Sequence, residues 1–211
     1  MVCDHMRFFG DKGLIRRHLG CIDRILDCFD RHVDESGLTA GLGGMNTMDR
    51  YWSFIDWTPE WNETSGVPDA YRSGPLTAEN LLYIMGLQAS ARLCDYIGRH
   101  DTAEEYLTRA KAVQAAVLAS CRGENGMLTD GPSVEKYSQH VQVFAVLTDT
   151  VSAEEGREAL LRTLEEPSKY AQSSVSFMYY LFRALEKTDL YEWSDQYWDI
   201  WRGMLRDHLT T

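Results

Sequence analysis

Two kinds of helical pattern alternate along this chain. Around residues 80, 140 and 175, apolar side chains occupy nearly every helical position, so these segments are expected to be buried on most sides. Around residues 22, 110, 160 and 198, apolar residues recur at three- and four-residue spacing and leave one polar face. Such a chain needs two layers, with apolar helices inside and amphipathic helices outside. The pattern predicts an all-α fold, an α/α toroid of helical hairpins.

A plain bundle or a helical solenoid is the alternative, and no fixed repeat period favours the solenoid. The predicted helices cover residues 2–9, 11–33, 77–99, 102–121, 138–148, 152–166, 173–187 and 191–207. Three of them begin with capping signals: Thr77, Asp101 with Glu104, and Ser152 with Glu155. We treat residues 1–211 as a single all-α domain.

Composition excludes several classes of partner. The net charge is −11 and no run is rich in Lys or Arg, so a nucleic-acid partner is disfavoured. No run reaches the roughly 18 apolar residues of a membrane span, and the first ten residues do not form a secretory signal, so we expect a protein that is soluble and cytoplasmic. The five cysteines are widely spread without a CxxC pair, which favours reduced thiols and neither a zinc site nor a disulfide framework. We expect no metal and no cofactor.

Residues 51–61, YWSFIDWTPEW, hold five aromatic rings and two carboxylates in eleven positions. Flat rings such as Trp52, Trp57 and Trp61 offer an apolar surface to the C–H faces of a sugar. The carboxylates of Asp56 and Glu60 accept hydrogen bonds from hydroxyl groups. The stretch therefore predicts a carbohydrate site. The alternative is a loop whose rings anchor it in the core.

Three loops run into the apolar helices, over residues 44–76, 122–138 and 167–173. The two later ones, with the helix start that follows residue 138, carry Asp130, Glu135, Tyr137, Gln139, His140, Lys169, Tyr170 and Gln172. Because inner helices of such a toroid run side by side, we expect the three loops to gather at one end of the inner layer. Helix N-termini there add partial positive charge, which suits hydroxyl oxygens.

At this point the residues match a known family. The matching segments are FFGDK (8–12), WSFIDW (52–57), LTAENLLYIMGLQASARLCDYIG (76–98), KYSQHVQVFAVL (136–147) and SVSFMYYLFRAL (174–185). In this order and spacing the chain resembles the catalytic domain of the α-L-rhamnosidases, glycoside hydrolase family 78, over essentially all 211 residues. The resemblance implies an (α/α)6 barrel and an inverting hydrolase acting on rhamnosylated oligosaccharides or glycosides.

The resemblance also implies roles for individual residues. Trp57 would line the rhamnose subsite, and Asp56 beside it would hold either the loop, as a cap, or a sugar hydroxyl. Tyr137, Gln139 and His140 would lie near the same pocket. For His140 a structural role stands beside a catalytic one, because no second histidine or carboxylate accompanies it at metal-ligand spacing.

The chain departs from the family where catalysis is concerned. The family's acid glutamate lies in a D-x-P-x-R-x-E-R-x-x-W-x-G-D motif, which this sequence lacks, and its base glutamate follows the last outer helix. We therefore expect an incomplete barrel that carries substrate-binding walls but no catalytic residue. Such a fragment would expose apolar flanks and self-associate through them.

Two other functions remain open. Another α/α-barrel glycosidase would use Asp56 with Glu60, or Asp130 with Glu135, as its pair of carboxylates. A non-catalytic helical domain, binding carbohydrate or another protein, would need neither pair.

Overall fold

A computed structural model describes residues 1–44 and 51–209. Its α-helices are α1 (Val2–Phe9), α2 (Lys12–Asp30), α3 (Thr77–Tyr96), α4 (His100–Ser120), α5 (Gln139–Leu147), α6 (Ala153–Glu165), α7 (Met178–Lys187) and α8 (Trp198–Arg206). Short 3-10 helices lie at Pro59–Thr64, Asp69–Arg72, Pro167–Lys169, Val175–Phe177 and Tyr191–Tyr197. Only isolated β-bridges, and no strand, occur within these two ranges. The prediction of an all-α fold is confirmed.

The helices form the two layers that the alternation predicts. Helix α5 lies at the centre, with every residue from Gln139 to Val146 buried, and it packs against α3, α6 and α7. Helix α3 packs against α2 and α4 on its other sides and buries eleven of its twenty residues. Helices α2, α4 and α6 each bury one face, because their polar residues repeat on the opposite side. The inner layer is thus α3, α5 and α7.

Helix α7 differs from the prediction. Residues 173–187 were expected to form a helix buried on most sides, but the α-helix begins at Met178 and buries only Met178, Leu181, Ala184 and Leu185. Tyr179 is 57% exposed. The prediction is wrong because apolar composition alone does not provide neighbours. Helix α7 packs against α5, and its Phe182 ring contacts the α8 rings Trp198 and Trp201, which leaves Tyr179 open to solvent.

Two of the three predicted helix starts are also wrong. The N-cap of α3 is Leu76, and Thr77 is already helical; its backbone N–H donates to the carbonyl oxygen of Asp130 at 3.0 Å. Helix α4 begins at His100 after Arg99, which makes no side-chain cap, so Asp101 lies inside the first turn and forms no capping box with Glu104. A one-residue shift of the start is enough to remove a cap.

The capping box of Ser152 and Glu155 is confirmed. The Ser152 hydroxyl accepts from the Glu155 N–H at 3.2 Å, and the Glu155 carboxylate accepts from the Ser152 N–H at 2.9 Å. We expect Ser152→Ala to lower the free energy of unfolding by about 1 kcal/mol, because an orphan N–H of α6 loses its acceptor. In the control, Asp101→Ala should change it by less than about 0.5 kcal/mol. Urea unfolding followed by circular dichroism measures both, and equal losses would contradict the assignment.

Candidate functional site

One buried carboxylate joins the loops at the end of the inner layer. Asp56 is 1% exposed. It accepts hydrogen bonds from His140 Nε2 at 2.8 Å, from the Ser174 N–H at 2.7 Å and from the Ser174 hydroxyl at 2.6 Å. The Ser176 hydroxyl at 2.9 Å and the backbone N–H of Trp57 at 2.9 Å complete its shell. We call Asp56, His140, Ser174 and Ser176 the Asp56 clasp.

The clasp keeps Asp56 ionised. Burial alone would raise the pKa of Asp56, but the hydrogen bonds from His140 and Ser174 more than offset burial and lower the pKa to about 2. All these donors favour the charged form, and they come from three separate parts of the chain. The clasp is therefore a charged joint between the aromatic loop, the start of α5 and the segment before α7.

His140 is fully buried between two rings, with the Trp61 centroid at 4.6 Å and the Phe177 centroid at 4.5 Å. Burial lowers the pKa of His140, and the hydrogen bond to Asp56 opposes this only in part. The ring is therefore neutral at pH 7. Because an ionised Asp56 can only accept, Nε2 carries the proton, and Nδ1 is an acceptor with no hydrogen-bond donor among the residues that the structure describes.

The outer side of the aromatic loop presents a cluster of rings. Trp52, Phe54 and Trp57 contact one another with centroid distances of 4.9 to 5.8 Å. Trp57 is 55% exposed and Trp52 is 42% exposed. Gly66 shapes this face, because its φ is +79° and a Cβ there would lie 2.5 Å from the Phe54 ring. We call Trp52, Phe54 and Trp57 the ring face.

The inner side of the same loop lines a cavity of about 270 Å³. Glu60 and Trp61 come from the aromatic loop, Asp130, Glu135 and Tyr137 from the second loop, and Lys169 from the third. The prediction that the three loops gather at one end is confirmed by this cavity, which residues of all three loops line. We call this space the acidic cavity.

Asp130 is the buried carboxyl of the acidic cavity. It is 4% exposed and accepts a hydrogen bond from the Ser138 hydroxyl at 2.6 Å. Burial raises the pKa of Asp130 to about 6, and the hydrogen bonds from Ser138 offset burial only in part. Asp56 and Asp130 are thus two buried carboxyls whose pKa values lie on opposite sides of the ordinary value, because Asp56 has more donors.

The predicted site residues fall into three groups. Trp52 and Trp57 lie on the ring face; Glu60, Trp61 and Tyr137 line the acidic cavity; and Asp56 and His140 lie in the clasp between them. Gln139 is buried and lines neither the ring face nor the acidic cavity. Its amide oxygen accepts from the Ser173 N–H, and its amide nitrogen donates to the Thr163 hydroxyl. The sequence reasoning missed Ser174 and Ser176. Their S-x-S pattern before an apolar run is a helix-start signal that could have pointed to them.

Within residues 1–44 and 51–209, no helix combines the length and the apolar character that a membrane span requires. Over the same ranges, no three His, Cys, Asp or Glu side chains are grouped closely enough to hold a metal ion.

Comparisons with protein families and with solved structures both find similarity to rhamnosidases. The family model for the bacterial alpha-L-rhamnosidase 6 hairpin glycosidase domain matches residues 1–186. Among solved structures, the GH78 family rhamnosidase of Bacillus sp. GL1 is similar with a TM-score of 0.78 and 22% identity, over 97% of this chain and 20% of that one. A rhamnosidase from Klebsiella oxytoca with rhamnose bound gives a TM-score of 0.72 and 19% identity, over 97% of this chain and 36% of that one.

The chain thus spans about a fifth of the Bacillus enzyme and about a third of the Klebsiella enzyme. At these identities the likeness to the two structures concerns the fold. No curated protein matches the sequence. The family match extends over most of the chain and agrees with the two-layer helical fold, and on that ground this chain belongs to the bacterial α-L-rhamnosidase six-hairpin glycosidase domains.

Proposed function

We propose that this chain forms substrate-binding walls of an inverting α-L-rhamnosidase, a hydrolase that releases terminal α-L-rhamnose from an oligosaccharide or glycoside. The observation that carries the proposal is the exposed ring face beside the Asp56 clasp. Trp57 is 55% exposed, the buried Asp56 carboxylate accepts from its backbone N–H, and its ring contacts Trp52 and Phe54, so an anchored loop presents an open indole face to solvent. A flat apolar ring suits the C–H face of a sugar, and the Klebsiella relative is a rhamnosidase with rhamnose bound.

Within this proposal the residues take different roles. Trp57 contacts the rhamnose ring and Trp52 extends the same surface. Asp56 and His140 position Trp57 and do not contact the sugar themselves. Both are buried, and the Asp56 carboxylate already accepts five hydrogen bonds from the protein. Glu60, Trp61 and Tyr137 face the acidic cavity on the other side of the loop.

Sugar binding at the ring face can be tested by fluorescence. We expect L-rhamnose to quench the tryptophan emission of the chain, and Trp57→Ala to weaken binding at least tenfold because the stacking surface is lost. Trp198→Ala is the matched control, since Trp198 is 39% exposed and belongs to α8 rather than to the ring face. Absence of quenching up to high millimolar rhamnose would favour an inert helical scaffold.

For catalysis we propose that both glutamates of the inverting pair lie outside residues 1–211. Inverting hydrolysis requires two carboxyl groups roughly 6.5–9.5 Å apart on opposite sides of the scissile bond. The acid motif of the family is absent from the sequence, and the chain spans a minor part of both relatives.

We therefore expect the purified chain to show no turnover of an aryl α-L-rhamnoside, whereas an intact family enzyme, assayed alongside, turns it over. Turnover comparable to the intact enzyme, lost in Glu60→Gln, would contradict the proposal.

A second candidate function has one observation in its favour. Asp130, whose pKa is raised to about 6, lines the same cavity as Glu135, so a partly protonated acid and a carboxylate lie together. A glycosidase of another α/α-barrel type would use this pair. Loss of aryl glycoside turnover in both Asp130→Asn and Glu135→Gln would establish it. The pair of Asp56 and Glu60 lacks this support, because Asp56 does not line the cavity. A non-catalytic carbohydrate-binding domain would bind sugar without turnover.

We also propose that the chain self-associates through apolar side chains that the fold leaves uncovered. Phe8 is 82% exposed, Phe9 is 73% exposed and Leu205 is 72% exposed. Light scattering that showed a monodisperse monomer at high concentration would count against self-association.

We also propose a cytoplasmic location. All five cysteines are free thiols, which supports it.

A further inference from the structure

An apolar groove runs along the exposed side of α2 and shares no lining residue with the acidic cavity. Its volume is about 510 Å³, within the roughly 300–1,000 Å³ of pockets that take drug-sized ligands. Most of its walls are apolar or aromatic side chains, among them Cys21, Ile25, Cys28, Phe29, Leu42 and Trp52. Ile25 is 54% exposed, so the groove leaves apolar surface in contact with water. We call this space the α2 groove.

The α2 groove also holds two side chains of opposite charge, Glu79 and Arg24. Neither forms an ion pair within residues 1–44 and 51–209. The Ser53 hydroxyl donates to Glu79 at 3.0 Å. Burial raises the pKa of Glu79, and this hydrogen bond offsets burial only in part. The groove therefore suits an apolar group that brings a cation to Glu79.

The last turn of α1 carries such a group. Phe8 is 82% exposed, Phe9 is 73% exposed, and no residue of α1 is buried. Arg7, beside them, is exposed and forms no ion pair in the part of the chain that the structure describes. Asp4, one turn before Phe8 on the same face, has one carboxylate oxygen on the terminal ammonium and offers the other to Arg24. We call Arg7, Phe8 and Phe9 the α1 knob.

The α1 knob cannot reach the groove of its own chain. Only Gly10 and Asp11 separate the knob from α2, so it stays beside the first turn of that helix. Helix α2 is continuous over Lys12–Asp30, and at 1.5 Å per residue Ile25 lies roughly 20 Å farther along it. A knob of this kind therefore enters the groove only from another copy of the chain.

We propose that the α1 knob of one copy docks into the α2 groove of a second copy. The two phenyl rings of the knob cover Ile25 and Phe29, and Arg7 pairs with Glu79. Because the knob and the groove are different patches of the surface, the contact is heterologous. This contact rests on the proposed self-association, which it assigns to two named surfaces.

Sedimentation velocity tests the contact with two variants. Phe8→Ala removes the main ring of the knob, and Ile25→Lys places a charge in the groove. We expect each to raise the dissociation constant at least tenfold, because an aromatic anchor is lost or its pocket is blocked. An equimolar mixture of the two should associate again as one-to-one pairs, since one variant keeps the groove and the other keeps the knob. Leu205→Ala, a similarly exposed change on α8, is the matched control and should associate as the wild type does.

The α2 groove carries its own reporter of docking. Cys21 is an exposed free thiol in its wall. Alkylation of Cys21 by iodoacetamide, followed by peptide mass spectrometry, should slow several-fold as the wild type is concentrated, because the knob covers the thiol. In Phe8→Ala the rate should not depend on concentration. Phe8 and Ile25 are exposed, so both variants should fold, and circular dichroism checks this.

The outcomes separate this contact from the rest of the proposed function. If the mixture stays dissociated, or if only Leu205→Ala weakens association, the contact is overturned while self-association through another surface stands. If the wild type is a monomer at every concentration, the contact and the proposed self-association both fail. The proposed binding of rhamnose is judged separately by the rhamnose titration, because Trp57 does not line the α2 groove.

Discussion

Replacing Asp56 with asparagine is expected to lower the free energy of unfolding by about 3–5 kcal/mol, as found when one partner of a buried charged pair is removed. The change keeps the size of the side chain but removes the anion that accepts five hydrogen bonds. An amide has one acceptor oxygen, so its NH₂ group would face the donors from His140 or from Ser174. Urea unfolding at pH 7 measures the loss.

The pH dependence of this effect has a definite sign. Because the pKa of Asp56 is lowered to about 2, the carboxylate stabilises the fold above the unfolded value of about 3.9, and that contribution is lost as the pH falls through about 2. The difference in the free energy of unfolding between the wild type and Asp56→Asn should therefore shrink towards pH 2. Asp207→Asn, an exposed change beyond α8, should stay within about 0.5 kcal/mol. A loss below about 1 kcal/mol at pH 7 would show that the clasp is dispensable.

Asparagine at the other buried carboxyl should have the opposite effect. We expect Asp130→Asn to raise the free energy of unfolding at pH 7.5 by about 2 kcal/mol. Burial raises the pKa of Asp130 from 3.8 to about 6, so the folded state disfavours the ionised form. At about 1.4 kcal/mol per pKa unit, this penalty amounts to roughly 3 kcal/mol, of which a weaker hydrogen bond from Ser138 to the amide takes back a part.

Because the pKa of Asp130 is raised in the fold, the wild type loses stability as the pH rises from about 4 to about 6. Over that interval the folded state binds more protons than the unfolded state. The advantage of Asp130→Asn should therefore appear over that interval and vanish at pH 4, where Asp130 is protonated in the fold. Thermal unfolding at pH 4 and pH 7.5 measures it. A loss of stability at pH 7.5 would contradict this expectation and would mean that the fold depends on the anion at Asp130.

The layers could be predicted from the sequence because helical periodicity records which faces are buried. Helix α5 shows this, since six of its nine residues are apolar and eight of the nine are buried. The aromatic loop has no period, so nothing in YWSFIDWTPEW distinguishes the exposed Trp57 from Trp61, which is 4% exposed. The partners of Asp56 were beyond reach for a similar reason. Ser174 and Ser176 lie 118 and 120 residues away, and polar pairing over such separations leaves no local pattern.

That separation has a consequence for the order in which the chain folds. Closing a long loop lowers the entropy of the chain before the contacts at its ends can stabilise the fold, so contacts distant in sequence tend to slow folding. The hydrogen bonds between Ser174 and Asp56 close a loop of 118 residues, whereas the hairpin of α3 and α4 joins neighbouring segments. In a refolding experiment, we expect helical circular dichroism to recover before the ring face around Trp57 becomes competent to bind.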